Sequence, residues 1–163
     1  MVVNDPIIEA EFYAQSGDAY FHLKQIDAGI ADYEKALKLD PSNLLTRNNY
    51  AMRLALASKN LDEAMKMIEE VNSSSPNQAP FLDTKGVVLF QMGKYAEAKN
   101  IFLKVNEMQP NDRNYVEHLG DAYFKTGDAN KALELWKSAQ QLGSKNKMLE
   151  KKIQTKNYVA PSY

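Results

Sequence analysis

The residues of this chain that could do chemistry are two histidines, a set of carboxylates and two glycine turns, and their spacing argues against catalysis. His22 and His118 lie far apart and carry around them no metal-ligand or nucleophile pattern. The turns Met92-Gly93-Lys94 and Thr126-Gly127-Asp128 lack a phosphate-loop pattern and read as helix ends. Cysteine is absent, which removes disulfides and thiolate metal sites. The sequon Asn72-Ser73-Ser74 has meaning only in a eukaryotic secretory setting. These residues predict no catalytic group, no metal and no cofactor. What remains is recognition chemistry: the acids Asp18, Asp83, Glu117 and Asp121, and the rings Phe21, Phe90 and Phe124.

Those residues are positioned by a repeat. Gly17, Ala51, Gly86 and Gly120 form one column at intervals of 34 or 35 residues. Gly29, Ala64, Ala98 and Ala132 form a second, Tyr33, Ile68, Phe102 and Trp136 a third, and Pro41, Pro76 and Pro110 a fourth. Self-similarity at this period marks a helical solenoid, in which each hairpin needs a neighbour to bury its apolar face. Small residues in the first two columns let the helices of a hairpin approach closely. The interval from Gly17 to Ala51 is 34 and that from Gly29 to Ala64 is 35, so one residue is inserted between them. The Ser58-Lys59-Asn60 turn is the predicted place, since a surface turn absorbs a residue at little cost.

Composition fits such an array. A content of 44% hydrophobic and 25% charged residues is that of a folded domain, too apolar for a disordered one. No stretch approaches the roughly 20 apolar residues of a membrane span, and the opening residues do not read as a secretory signal. Charge is uneven: five lysines and one acid after Gly143 give +4, whereas the preceding residues hold 15 bases and 20 acids, giving −5. An acidic array disfavours nucleic acid as a ligand.

In the first repeat Asp5 and Pro6 begin a helix near Ile7 that runs to about Leu23, and a second follows from about Asp27 to Leu39, ended by Asp40-Pro41. Ile30, Tyr33, Ala36 and Leu37 give the second helix one buried face. After the fourth hairpin, Ser144 is a candidate cap for a final helix. Met148, Leu149 and Ile153 are then placed against the fourth repeat, with Lys147, Lys151 and Lys152 in water. Such a helix covers the apolar end of the array; a basic docking patch is the other reading. Ile7, Ile8 and Phe12 have no lid. This predicts the C-terminal part of a longer array, with self-association through the N-terminal end in isolation.

The columns resemble the tetratricopeptide repeat. The fourth repeat reads Leu119, Gly120, Tyr123, Ala132, Trp136 and Ala139, and the first Tyr13, Gly17, Tyr20, Tyr33, Ala36 and Pro41. The third reads Leu82, Gly86, Leu89, Ala98, Phe102, Val105 and Pro110, and the second keeps Ala51, Leu54, Ala64, Ile68, Val71 and Pro76. Gly29 stands where the family usually has alanine, and Ser144 where a fourth proline would fall. The resemblance implies an all-α, right-handed superhelical solenoid of four helix-turn-helix repeats at about 10–43, 44–78, 79–112 and 113–146, with a capping helix at about 144–157. More narrowly, residues 48–51, 81–98 and 117–128 and the lysine-rich end resemble bacterial tetratricopeptide proteins of the cell envelope. Lys85 and Val87 stand where those proteins have aromatic residues. The parent chain is then placed in the cytoplasm or, given an export signal, in the bacterial periplasm or envelope.

The resemblance also implies where partners bind: the concave face, lined mainly by the first helix of each hairpin. Its candidate residues here are Asp18, Phe21, Asn48, Met52, Asp83, Val87, Phe90, Glu117, Asp121 and Phe124. The three phenylalanines occupy equivalent positions and either anchor a side chain of a bound peptide or close the gaps between repeats. The acids either attract a basic segment or form a solvated face. The family's clamp for chaperone C-terminal carboxylates is disfavoured. Its cation and asparagine positions carry Ala14, Asp18, Asn49, Pro80 and Thr84, and a frame one repeat on carries Asn48, Met52, Thr84, Asn114 and His118. The implied function is a non-catalytic scaffold that holds a protein or peptide, with a structural spacer or oligomerisation module as the alternative.

Overall fold

The computed structural model describes residues 5–161. Among them nine α-helices run in order: α1 Pro6–His22, α2 Ile26–Leu39, α3 Leu44–Leu56, α4 Leu61–Ser74, α5 Ala79–Gln91, α6 Tyr95–Met108, α7 Arg113–Lys125, α8 Ala129–Gln141 and α9 Lys147–Thr155. Consecutive helices from α1 to α8 pair as four hairpins, giving an all-α superhelix closed by α9. No described helix is long and apolar enough to cross a membrane.

Local chemistry sets the helix ends. Asp5 accepts from the Ile7 N–H at 2.9 Å, Asn43 from Thr46 at 2.9 Å and Asp112 from Asn114 at 2.8 Å, each satisfying a donor that the first helical turn leaves open. Within each hairpin the turn needs one left-handed residue, always seven positions past the first column. Gly93 and Gly127 supply it in the third and fourth hairpins, whereas Lys24 (φ 63°) and Ser58 (φ 51°) adopt it in the first two. The α3–α4 connection spans 57–60, one residue more than the connections at 23–25, 92–94 and 126–128, and Asn60 there is also left-handed. The inserted residue therefore lies in the predicted turn.

The columns meet inside the hairpins. A methyl group on Gly17 would stand 2.8 Å from the Tyr33 ring and one on Gly120 2.7 Å from Trp136, while one on Gly86 would overlap Phe102. Where the partner is the narrower Ile68, the column holds Ala51. The departure at Gly29 has the same cause, because a Cβ there would meet the Phe21 ring at 2.6 Å. Tyr33, Ile68, Phe102 and Trp136 are all buried.

The C-terminal helix differs in detail from its sequence-based description. Its N-cap is Asn146, which accepts from Met148 N–H at 2.9 Å, and Ser144 instead accepts from the Asn146 N–H. Leu149 is fully buried with Trp136 and Ala139, and Ile153 packs against the same cluster. Met148 turns to the concave face. Lys152, expected in water, is 4% exposed. At the opposite end Ile7, Ile8 and Phe12 are 57%, 66% and 66% exposed.

Candidate functional site on the concave face

Two clefts lie along the inner face. The larger, about 400 Å³, runs from Phe21, His22 and Lys24 of the first hairpin past Leu56, Val87, Phe90 and Gln91 to Asn114, Glu117, His118 and Asp121 of α7. Its far wall is made by Met148 and Lys152 of α9 and by the tail residues Tyr158, Val159 and Pro161. The smaller, about 240 Å³, is lined by Asp18, Asn48, Asn49, Met52, Arg53, Pro80, Asp83, Thr84 and Tyr115. The sequence-derived set is thus divided. Phe21, Val87, Phe90, Glu117 and Asp121 line the first cleft, and Asp18, Asn48, Met52 and Asp83 the second. Phe124 lines neither; its ring stacks on Trp136 at 5.7 Å.

The acids are not an open fringe. Asp83, Glu117 and Asp121 are buried, and every one of the four is partnered within the chain. Asp18 receives Arg53 Nε at 2.6 Å and the Tyr33 hydroxyl at 2.5 Å. Asp83 Oδ1 lies 2.8 Å from His118 Nδ1. Lys152 Nζ donates to Glu117 at 2.9 Å and to Asp121 at 2.7 Å, and Asp121 also accepts the Trp136 indole N–H at 2.9 Å. Three of these contacts, Asp18 to Arg53, Asp83 to His118 and Glu117 to Lys152, join residues 35 apart in sequence, which is one repeat plus one position. Each is a strut between neighbouring first helices. Lys152 therefore belongs where a fifth repeat would place a base, and α9 sits where the first helix of a fifth hairpin would. Buried carboxylates need such partners, because desolvation of an unpaired charge is costly.

Burial and neighbours set the protonation of this network. Burial raises the Asp121 carboxyl and Glu117 adds to that effect, with Lys152 opposing both. Burial disfavours the charged His118 ring, but Asp83, with Asp121 and Glu117 beyond it, outweighs this and lifts its pKa above the ordinary value. In the smaller cleft burial, helped by the charges of Asp83 and Asp112, pushes the Tyr115 hydroxyl up to about 12. These arrangements hold charge in place. No group of three or more His, Asp or Glu able to hold a metal occurs among the described residues.

The rings divide in the same way. Phe21 is fully buried, in edge contact with Tyr33 at 6.1 Å, and serves the core. Phe90 is 7% exposed and touches both Tyr95, at 5.0 Å between centroids, and Tyr158, at 5.5 Å. Sequence reasoning passed over Tyr158, Val159 and Pro161 because they lie beyond the repeat pattern, and no spacing rule reaches them. The pairing of acids with bases 35 residues on was readable, had the columns been extended from glycines to charges. The sequon is accounted for structurally, since Asn72 donates its amide to the Ile68 carbonyl of α4 at 2.9 Å and to the Phe81 carbonyl of α5 at 3.1 Å.

This architecture defines a helical-repeat scaffold that works by protein–protein interaction. The tetratricopeptide repeat signature matches residues 10–43 and again 84–147, and the chain belongs to the tetratricopeptide repeat family. It is 29% identical over 143 residues to a TPR repeat-containing protein of Methanocaldococcus jannaschii, covering 87% of this chain and 24% of that one. It is 26% identical over 140 residues to RNA polymerase II-associated protein 3 of Xenopus laevis, covering 86% of this chain and 18% of that one. The chain thus spans a quarter or less of these curated relatives. A tetratricopeptide repeat protein from Parabacteroides merdae superposes with a TM-score of 0.80 at 19% identity, over 95% of this chain and 60% of that one, a likeness of fold.

Proposed function

We propose that the chain is a non-catalytic scaffold whose larger concave cleft receives an extended segment of a partner protein. The observation that carries this reading is the lining: the first helices of all four hairpins contribute to one cleft of about 400 Å³, with apolar walls at Leu56, Val87 and Phe90 and polar groups at Gln91 and Asn114. Such a mixture suits an extended peptide, whose side chains enter apolar pockets while its backbone needs polar partners. Because Asp83, Glu117 and Asp121 are already paired, the preference rests on shape and apolar contact more than on a basic ligand. The test compares partner capture by the wild-type chain, a Gln91→Arg/Asn114→Arg cleft variant and a Lys137→Glu outer-surface control, followed by direct titration of each captured protein. A partner lost only with the cleft variant supports the reading; equal retention by all three overturns it.

A second reading has its own observation. Ile8 and Phe12 of α1 are each two-thirds exposed, and Leu45 is 61% exposed. An apolar end of this kind favours association. As an assembly module the chain would dimerise through α1, and sedimentation of the wild type against Ile8→Glu/Phe12→Glu decides it: a concentration-dependent dimer lost in the variant supports that reading, and a monomer throughout removes it.

A further inference from the structure

One wall of the larger cleft is a peptide, and that peptide is the chain's own tail. Lys156 ends α9 in the left-handed conformation (φ 52°, ψ 35°), and Asn157 N–H closes the turn on the Lys152 carbonyl at 3.2 Å. After this turn Tyr158, Val159 and Pro161 face the larger cleft. Tyr158 lands on Phe90 at 5.5 Å between centroids. The Lys125 ammonium stands 4.5 Å from the Tyr158 ring centroid and 5.5 Å from that of Tyr95, so it lies between two rings, and Lys152 approaches Tyr158 at 5.5 Å. Phe90, Tyr95, Lys125 and Lys152 thus form an aromatic and cationic seat around one side chain.

Among the described residues, no hydrogen bond joins Tyr158, Val159 or Pro161 to the helices; the tail is held by ring, cation–π and apolar contacts. Such contacts are individually weak and independent of backbone register, so a competing segment can replace them. The seat also has a chemical bias. Two ammonium groups face the electron-rich ring, which favours tyrosine or tryptophan over an aliphatic side chain. The residues that follow Tyr158 are uncharged.

We propose that Phe90, Tyr95, Lys125 and Lys152 form a recognition seat for a tyrosine-type side chain on an extended segment, and that Tyr158 occupies it in cis until a partner segment of that chemistry displaces the tail. This deepens the cleft-binding reading and rests on it. The test uses the whole 163-residue chain and a fluorescent peptide with the sequence of residues 155–161, which carries one tyrosine. The Tyr158→Ala chain, with its seat vacated, binds the peptide about tenfold more tightly than the wild type, the factor expected when the tail fills the seat nine-tenths of the time. A peptide with alanine for tyrosine does not bind, and adding Lys125→Ala to Tyr158→Ala weakens binding while leaving the melting temperature of the Tyr158→Ala chain unchanged.

Equal binding to wild-type and Tyr158→Ala chains, no binding to a Tyr158→Ala chain that melts like the wild type, or equal binding of the alanine peptide each overturns the inference. A second copy's tail acting in place of the chain's own would appear as peptide-sensitive dimers of the wild type, and that outcome also overturns the cis arrangement. Cleft-dependent partner capture without peptide binding would remove only the tyrosine seat; peptide binding without cleft-dependent capture would remove the scaffold reading and leave the seat.

Discussion

The indole of Trp136 donates to Asp121 at 2.9 Å, and the phenol of Tyr33 donates to Asp18 at 2.5 Å across the same interval of fifteen residues. In both hairpins the acid follows the column glycine and the donor is the large ring that this glycine admits. Where the ring has no polar hydrogen, as in Phe102, the acid is replaced by Val87; opposite Ile68 stands Met52. The carboxylate is therefore part of how a hairpin buries a polar aromatic, since a buried N–H or O–H needs an acceptor. The same acid then takes a base from the following repeat, which ties packing within a hairpin to the stacking of hairpins.

Lys152 is the last of those bases and the strongest test of the network. Removing it leaves Glu117 and Asp121 buried side by side without the ammonium that pairs them, and breaking a buried ion pair from one side costs about 3–5 kcal/mol. Lys152→Met should lower the unfolding free energy by that amount in urea at neutral pH. The triple variant Glu117→Gln/Asp121→Asn/Lys152→Met should regain most of the loss, since no charge is then stranded. Equal stability of the single and triple variants would refute the account of α9 as an electrostatic end cap.

Gly86→Ala sets two effects against each other. Alanine gains about 1 kcal/mol of helix propensity over glycine, but the new methyl overlaps Phe102, which is 1% exposed and must shift to admit it. Overpacking of this kind costs about 1–3 kcal/mol, so the net change should be destabilising. Gly86→Ala/Phe102→Ile, which copies the Ala51 and Ile68 pair of the second hairpin, should recover part of it. A rise in melting temperature for the single substitution would show that the hairpin is looser than its geometry.

The hairpin turns give a substitution of opposite sign. Ser58 takes the left-handed conformation that Gly93 and Gly127 occupy in later hairpins. A side chain there is strained by about 1 kcal/mol. Ser58→Gly should raise stability by about 0.5 kcal/mol after the entropy that glycine adds to the unfolded chain is subtracted. Thermal melts of this variant and of Lys24→Gly, at the equivalent position of the first hairpin, should move in the same direction.

Most of the fold was legible because a repeat samples the same physics four times. Gly17, Gly86 and Gly120 face rings, and the extra residue at 57–60 shows up as a slip between two columns. The candidate site was legible as a set of first-helix positions, and nine of its ten residues line one of the two clefts. What the residues could not reveal one at a time was pairing. Lys152 reads as a surface lysine in an amphipathic helix until Glu117 and Asp121 are seen above it, and Tyr158 follows a left-handed turn that no periodicity announces.

His118 gives the network a pH signature. Burial opposes its charged form, yet its pKa lies above the ordinary 6.5, through Asp83 at 2.8 Å with Asp121 and Glu117 beyond. A raised pKa means that the folded chain holds the proton more tightly than the unfolded one. The stabilisation is then complete below about pH 6.5 and is lost as the pH rises through the folded value. His118→Gln keeps a donor but never carries the charge. It should therefore cost more relative to wild type at about pH 6 than at about pH 9. Asp121, whose carboxyl is also raised, pushes the wild type in the same direction, and because the His118 charge holds that carboxyl down in the wild type alone, the difference belongs to the coupled pair. A gap between the two chains that is flat across this range, or that widens toward pH 9, would mean that the histidine enters the fold neutral and that the contact with Asp83 is an ordinary hydrogen bond.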